Sequence, residues 1–143
     1  MKTETKKQII ALLEKNGYSL THKKNTFLVN NMLKTPFFFY DFRKGLRFFC
    51  MYNISDYAQK NRLKYLNFID KLNQKADIAK FHDYGDVMVA SYWVNGEHDK
   101  KEFNHLLKLW EADLSGIPCS IKNYAKILIV ESPKDAEIKQ AAL

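Results

Sequence analysis

The feature that most constrains the fold lies between residues 36 and 54, where the chain has the sequence PFFFYDFRKGLRFFCMYNI. Two apolar stretches, FFFYDF and LRFFCMYNI, flank the short polar segment Arg43-Lys44-Gly45. This pattern predicts a β-hairpin with a tight turn in which Gly45 supplies the positive φ. Because eight of the chain's 20 aromatic residues lie here, the fold has to cover an unusual amount of ring surface.

Side chains alternate between the two faces of a strand, and this alternation divides the apolar residues of the hairpin into two sets. We expect the first set to lie under helices. It consists of Phe38, Tyr40 and Phe42 from the first strand and Leu46, Phe48, Cys50, Tyr52 and Ile54 from the second. The remaining rings form a second apolar set on the opposite face.

A later strand-like stretch, DVMVASYWV, is also apolar on both faces. A strand of this kind is either covered twice or partly exposed at an interface. We therefore predict a protein-binding face on the sheet, formed by Phe37, Phe39, Phe49, Met51, Met88 and Tyr92. The alternative cover for this face is the C-terminal extension of the same chain.

The first half of the chain contains signals for two helices. A helix over about 3–16 is predicted, with Thr5 and Gln8 in capping-box positions and Gly17 as the stop. A strand follows at 26–33, ahead of the aromatic hairpin. Ser55-Asp56 then has the form of a cap for a long helix over about 57–76.

The second half contains a further hairpin and a further helix. IAKFHDY and DVMVASYWV are predicted to pair through a turn at Gly85. Asp99, helped by Glu102, is predicted to cap an amphipathic helix that ends at Gly116 and Pro118. AKILIVE (125–131) is a strand or a buried connector, and a short helix is predicted after Ser132-Pro133.

The element order is therefore α-β-β-β-α-β-β-α followed by an extension. Hairpins separated by helices indicate an α+β domain, here an antiparallel sheet of about five strands with helices on one face. A chain of 143 residues fits one domain. We divide it into a module over 1–114 and an extension over 115–143 that packs on the module or on a partner.

The order resembles that of the YbjN-like family of bacterial sensory-transduction regulators. The resemblance covers residues 5 to 114 and is carried by LKYLNFIDKLNQKADIAKFHDYGDVMVASYWV, which contains Asn67 and Asn73, and by the later helix FNHLLKLW. It implies a fold similar to that of the type III secretion chaperones, which are mostly dimers that bind extended protein segments. It implies no catalytic residues. This chain is basic, whereas the secretion chaperones are mostly acidic.

No pattern in the chain is typical of a metal site. Glu102 and His105 have the E-x-x-H spacing that places two ligands on one helical face, but a carboxylate-bridged centre requires a second copy of that pair. His22 and His82 would define an enzyme site only if they faced a pocket. We predict that the protein has no metal and no cofactor.

The chain also lacks a catalytic nucleophile motif. It has neither a G-x-S-x-G elbow nor a glycine-rich phosphate loop. Cys50 alternates with rings on a strand and is predicted to be a small buried residue, and Cys119 is predicted to lie in a loop after Pro118. We therefore predict no catalytic residues and no enzymatic activity.

The formal net charge of +7 raises the alternative of a single-stranded nucleic-acid-binding module. The positive charges are scattered, and only Arg43, Arg47 and Arg62 are arginines. The segment KGLRFFCM has Leu46 and Met51 where the RNP1 motif has rings, and the element order differs from that of an RNA-recognition domain. These observations make nucleic acid the second choice.

The sequence therefore favours a non-catalytic, chaperone-like protein-binding or regulatory module that forms a homodimer and has a possible protein partner. The N-terminal residues lack the apolar segment of a signal peptide. No apolar run approaches the roughly 20 residues of a membrane helix. We expect a cytoplasmic protein that does not bind a membrane.

Overall fold

The computed structural model describes residues 2–120 and 128–130. The elements follow one another along the chain as α1 (Thr3–Lys15), β1 (Ser19–Lys23), β2 (Thr26–Asn31), β3 (Lys34–Phe42), β4 (Gly45–Ile54), α2 (Asp56–Lys60), α3 (Arg62–Lys75), β5 (Lys80–Asp83), β6 (Val87–Asn95), α4 (Lys100–Ser120) and β7 (Leu128–Val130). The predicted α+β class is confirmed. The predicted elements follow one another as expected, but an additional strand, β1, precedes the three predicted strands, and the second predicted helix is in two parts.

One antiparallel sheet contains all the described strands. Its order is β1-β2-β3-β4-β6-β5. β7 pairs with the last three residues of β4, which follow the residues of β4 that pair with β3. The prediction of about five strands was too low, because β1 was not predicted and the segment that contains β7 was predicted as either a strand or a buried connector. β1 is an edge strand whose side chains are almost all exposed, so it has no apolar alternation that a sequence pattern would detect.

The turn of the aromatic hairpin differs from the prediction. Phe42 pairs with Gly45, so the loop contains only Arg43 and Lys44, whose φ angles are 48° and 58°. Both loop residues thus have the left-handed conformation of a two-residue hairpin turn. Gly45 is not in the turn; it is the first residue of β4 and is buried.

The helices cover one face of the sheet, as predicted. In the described part of the chain, every buried helical residue belongs to one apolar cluster, the main core, which also contains one side of β2, β3, β4 and β6. The predicted helix over 57–76 is divided into α2 and α3 at Asn61, whose φ is −120° and ψ is 59°. The main core buries four residues of α3, namely Tyr65, Phe68, Ile69 and Leu72.

Three of the predicted helix ends have the expected hydrogen bonds. Gly17 has φ +84° and follows α1, with the Tyr18 N–H bonded to the Leu13 carbonyl. The Ser55 hydroxyl accepts the Ala58 N–H at 3.1 Å. Asp99 and Glu102 form a reciprocal capping box. The capping box predicted at Thr5 is absent, because α1 begins at Thr3 and its cap makes no side-chain hydrogen bond.

Helix α4 continues beyond the predicted stop. It passes through Gly116 and Pro118 and ends at Ser120. Leu114 and Ile117 are 5% and 2% exposed, so they extend the apolar stripe that the main core buries. Burial of these two side chains contributes about 1.5–3 kcal/mol each, which offsets the roughly 1 kcal/mol that a glycine and the roughly 3 kcal/mol that a proline cost inside a helix.

Candidate binding surfaces

The hairpin register places two of the six residues of the predicted binding face inside the main core. Because the loop has two residues, Phe39 pairs with Phe48, which belongs to the set that was predicted to lie under the helices. Phe39 therefore lies on the same face as that set. Phe37 and Phe39 are 1% and 0% exposed and contact the helix rings Trp110 and Phe103 at centroid distances of 6.0 and 5.7 Å. The predicted assignment of these two rings to the face opposite the helices was therefore wrong.

The same register moves Phe38 and Tyr40 to the opposite face. Phe38 is there part of a second cluster of buried residues, which consists of Leu28, Phe38, Phe49, Met51, Val87 and Val89, and Tyr40 packs against it. Phe49 and Met51 were correctly assigned to this face, but they are only 5% and 3% exposed within a single chain. They do not form an open surface.

The last two residues of the predicted face lie on or beside the main core. Met88 is fully buried in it, and Tyr92 is partly buried and packs against it, with its ring centroid 6.2 Å from that of Phe48. The extension over 115–143 was predicted to pack on the module or on a partner. Apart from the end of α4 and the strand β7, that segment lies outside the described residues.

A group of half-exposed rings and arginines lies on the second-cluster side of the sheet, at the β3–β4 turn. We call Tyr40, Phe42, Arg43, Arg47 and Trp93 the ring–arginine cluster. The Tyr40 and Phe42 rings meet edge to face at 6.1 Å. The guanidinium of Arg43 lies 5.0 Å from the Phe42 ring centre, and that of Arg47 lies 5.2 Å from Phe42 and 5.1 Å from Phe49.

Trp93 is held in this cluster by the absence of a side chain at Gly45. A Cβ atom built on Gly45 would lie 2.7 Å from the indole nitrogen of Trp93. The ring therefore lies across the glycine, and its N–H donates a 2.8 Å hydrogen bond to the carbonyl of Phe42. Trp93 is nevertheless 44% exposed, so a fixed aromatic ring is presented at the surface.

At the other end of β3, the β2–β3 turn carries two exposed apolar residues. We call Met32 and Leu33 the tip; they are 102% and 94% exposed. Asn31 fixes the tip, because its side chain accepts the Leu33 N–H at 2.8 Å and donates to the Gly17 carbonyl at 2.9 Å. The tip is thus presented by a hydrogen-bonded turn.

A cleft of about 550 Å³ lies between the tip and α4. Its apolar lining includes Leu33, Phe37, Trp110 and Leu114, three of which belong to the main core. The volume is in the range of roughly 300–1,000 Å³ that is typical of binding pockets.

Polar groups fix one wall of this cleft. The Glu111 carboxylate accepts hydrogen bonds from the Tyr18 hydroxyl at 2.7 Å and from the Lys34 ammonium at 2.9 Å. Burial, together with the bond to Glu111, raises the pKa of Tyr18 above its ordinary value, so the phenol stays protonated. These bonds join β3, α4 and the start of the first hairpin.

The histidine positions favour neither a metal site nor a pocket around His22 or His82. Within residues 2–117, no three His, Cys, Asp or Glu side chains are close enough to hold a metal ion. The Glu102 carboxylate of the E-x-x-H pair lies 3.3 Å from the His98 ring and contacts the Asp99 N–H, while His105 is exposed. His22 stacks on Phe27 at 4.4 Å, and neither it nor His82 lines the cleft between the tip and α4.

The two cysteines have different outcomes. Cys50 is 1% exposed, as predicted, and burial raises the pKa of its thiol to about 12, which makes it a poor nucleophile. Cys119 was predicted to lie in a loop but belongs to the last turn of α4, and its side chain lies outside the described part.

None of the helices in the described residues is both long and apolar enough to span a membrane.

Together, the antiparallel sheet and the single helical layer define a small α+β fold. No family model and no curated protein matches the sequence significantly. Among solved structures, the fold is similar to that of YbjN from E. coli, described as "a putative transcription regulator", with a TM-score of 0.63 and 12% sequence identity. The match covers 86% of this chain and 94% of that chain. This result confirms the predicted resemblance at the level of the fold.

Proposed function

We propose that this protein is a non-catalytic protein-binding module that works as a homodimer, in which the tip of each chain packs against the cleft of the other. The observation that carries the proposal is the juxtaposition of a fully exposed apolar tip with a cleft lined by core residues. The fold likeness to YbjN, whose description is regulatory, is consistent with a binding role.

The composition of the tip supports a role in binding. Two-residue hairpin turns usually contain Gly, Asn or Asp, because those residues tolerate a positive φ. Met32 and Leu33 are not among the residues with positive φ, so the turn geometry does not explain why large apolar residues stand there. An exposed apolar pair of this kind is typical of a contact that a partner buries.

A second copy suits this surface because the tip and the cleft lie side by side on one chain. In a two-fold dimer the same patch faces itself, so a projection next to a recess is self-complementary. Burying a leucine side chain contributes about 1.5–3 kcal/mol. Two copies of Leu33 therefore contribute at least about 3 kcal/mol, or roughly 100-fold in the dissociation constant.

Light scattering coupled to size exclusion tests the proposal. We expect the wild-type protein to have a mass near twice 16.8 kDa at micromolar concentration. The change Leu33→Asp should give a monomer with an unchanged circular dichroism spectrum, since the residue is exposed. The matched control Leu63→Asp alters another exposed leucine, 74% exposed on α3, and should leave the dimer intact. A monomeric wild type, or equal effects of the two variants, would contradict the proposal.

A further inference from the structure

The ring–arginine cluster combines the two kinds of group that bind single-stranded nucleic acid. Three residues of the cluster form a row across the sheet, because Arg47 pairs with Tyr40 on one side and with Trp93 on the other. Neighbouring strands are about 4.8 Å apart, so the backbone positions of Tyr40 and Trp93 lie about 10 Å apart with that of Arg47 between them. The row continues through Thr26 to Lys23 on β2 and β1.

We infer that this face of the sheet carries a binding site for single-stranded nucleic acid, in which Trp93 and Tyr40 stack on bases and Arg43 and Arg47 bind phosphates. Rings with an exposed face stack on any base and contribute about 1–3 kcal/mol for each base. Arginine binds phosphate through two parallel N–H groups. The inference adds a ligand class to the binding module and does not depend on the dimer.

The arginines are available for this role. Within the described residues, no carboxylate forms an ion pair with Arg43 or Arg47. Arg47 is instead held between the rings of Phe42 and Phe49, which limits its motion before a ligand binds. The nearby Asp41 pairs with Leu46, whose side chain is in the main core, so it lies on the other face of the sheet.

The fold places two of the three arginines against a half-exposed aromatic ring. In the sequence the positive charges are scattered, and two of the three arginines lie four residues apart without an evident role. In the structure both arginines contact one half-exposed ring, Phe42, and Arg47 pairs with Trp93 on the neighbouring strand. Lys44, the second residue of the turn, adds a third exposed cation. An acidic peptide would use the cations but would have no need of the fixed indole ring.

Trp93 provides the test through its fluorescence. The other tryptophan, Trp110, is fully buried in the main core, so quenching by a ligand reports on Trp93. We expect an oligothymidylate of about 12 nucleotides to quench the emission. The logarithm of the binding constant should fall with the logarithm of salt concentration with a slope of about −2, as three phosphate contacts predict. The complementary duplex should bind at least about 10-fold more weakly, because its bases are not free to stack.

Variants test whether the cluster is the binding site. The affinity of each variant is measured by the fluorescence anisotropy of a labelled oligonucleotide. Trp93→Ala and Arg47→Gln should each weaken binding about 10-fold. Arg62→Gln removes the same charge elsewhere, and Tyr84→Ala removes a ring that is 52% exposed at another turn; both should bind as the wild type does. Circular dichroism and urea unfolding establish whether each variant is folded. If Trp93→Ala does not fold, Arg47→Gln alone is the test variant.

Three results would overturn the inference. The first is no binding by folded wild type at about 50 mM salt, where phosphate contacts are strong. The second is equal binding of an abasic oligonucleotide or of polyglutamate, which would show that charge alone acts. The third is an equal loss for Arg62→Gln and Arg47→Gln. Leu33→Asp should not alter binding of the short oligonucleotide, so failure of the dimer and failure of this site are distinguishable.

Discussion

Replacing Gly45 by alanine should destabilise the protein through steric overlap alone. The added Cβ would lie 2.2 Å from the carbonyl oxygen of Val94 and 2.7 and 2.9 Å from two atoms of the Trp93 ring. Atoms this close must move apart, and the Val94 carbonyl belongs to the backbone of β6, which pairs with β4. The chain therefore has to separate two central strands or displace the indole.

The expected cost follows from these two adjustments. Overpacking a well-packed site costs about 1–3 kcal/mol. Displacing Trp93 also breaks its 2.8 Å hydrogen bond to the Phe42 carbonyl, which is worth about 1 kcal/mol. We expect Gly45→Ala to lower the free energy of unfolding by about 2–4 kcal/mol, measured by urea denaturation, and to shift the emission of Trp93.

Gly96→Ala is the matched control for this prediction. Gly96 has φ +86° and no atom within 4 Å of an added Cβ, so alanine there meets backbone strain but no obstruction. Strain of this kind costs about 1–2 kcal/mol. If Gly45→Ala is no more costly than Gly96→Ala and leaves the Trp93 emission unchanged, the steric argument is wrong.

Three other changes test how the fold is held together, each followed by urea denaturation. Asp113→Ala should cost about 2–3 kcal/mol, because this carboxylate accepts three consecutive backbone N–H groups of the α3–β5 connection at 2.8 Å each. Asn73→Ala should cost about 2 kcal/mol and speed amide exchange in β5, since its side chain satisfies both backbone groups of one residue there. Burial alone would raise the pKa of Asp83, but hydrogen bonds from Arg62 and from a backbone N–H lower it. A lowered folded pKa stabilises the protein above the unfolded value of about 3.9, so the advantage of wild type over Asp83→Asn should shrink as pH falls below about 4.

The sequence was sufficient to predict the types of most elements. It was not sufficient to predict which face of the sheet each side chain of the aromatic hairpin occupies. The predicted turn contained Arg43, Lys44 and Gly45, and a three-residue loop would pair residues of like parity. The observed two-residue loop pairs odd-numbered residues of β3 with even-numbered residues of β4. One residue in the turn therefore exchanged the faces of Phe37 and Phe38. Asn-Gly or Asp-Gly would have signalled this loop, but Arg-Lys does not, although both residues have positive φ.

Edges and long-range pairings were equally inaccessible to pattern analysis. β1 has the sequence SLTHK, in which polar residues protect an edge strand and leave no apolar period. The contact of Trp93 with Gly45 depends on the pairing of β4 with β6, in which Gly45 pairs with Asn95, 50 residues later in the chain. A local pattern contains no information on such a pairing. For that reason the sequence predicted a ring-rich sheet but not the ring–arginine cluster.

The tip and the ring–arginine cluster lie at opposite ends of β3, about 27 Å apart for a nine-residue strand. The cleft also opens on the helical side of the sheet, whereas the cluster lies on the other side. A dimer formed through the tips therefore leaves both clusters accessible, and one long strand can bind to two of them. Binding at the second cluster is then intramolecular, and such coupling raises overall affinity by about 10²–10⁴-fold when the strand spans both sites.

This geometry connects the two proposals through one variant. Leu33→Asp should weaken binding of an oligonucleotide of about 40 nucleotides by at least 10-fold, because each monomer offers a single cluster. The same variant should bind an oligonucleotide of about 12 nucleotides as the wild type does, and Leu63→Asp should behave as the wild type with both lengths. Fluorescence anisotropy at matched chain concentration measures all four cases. If Leu33→Asp produces a monomer yet binds the long strand as tightly as the wild-type dimer does, the two clusters do not act on one strand, and the dimer must serve another purpose.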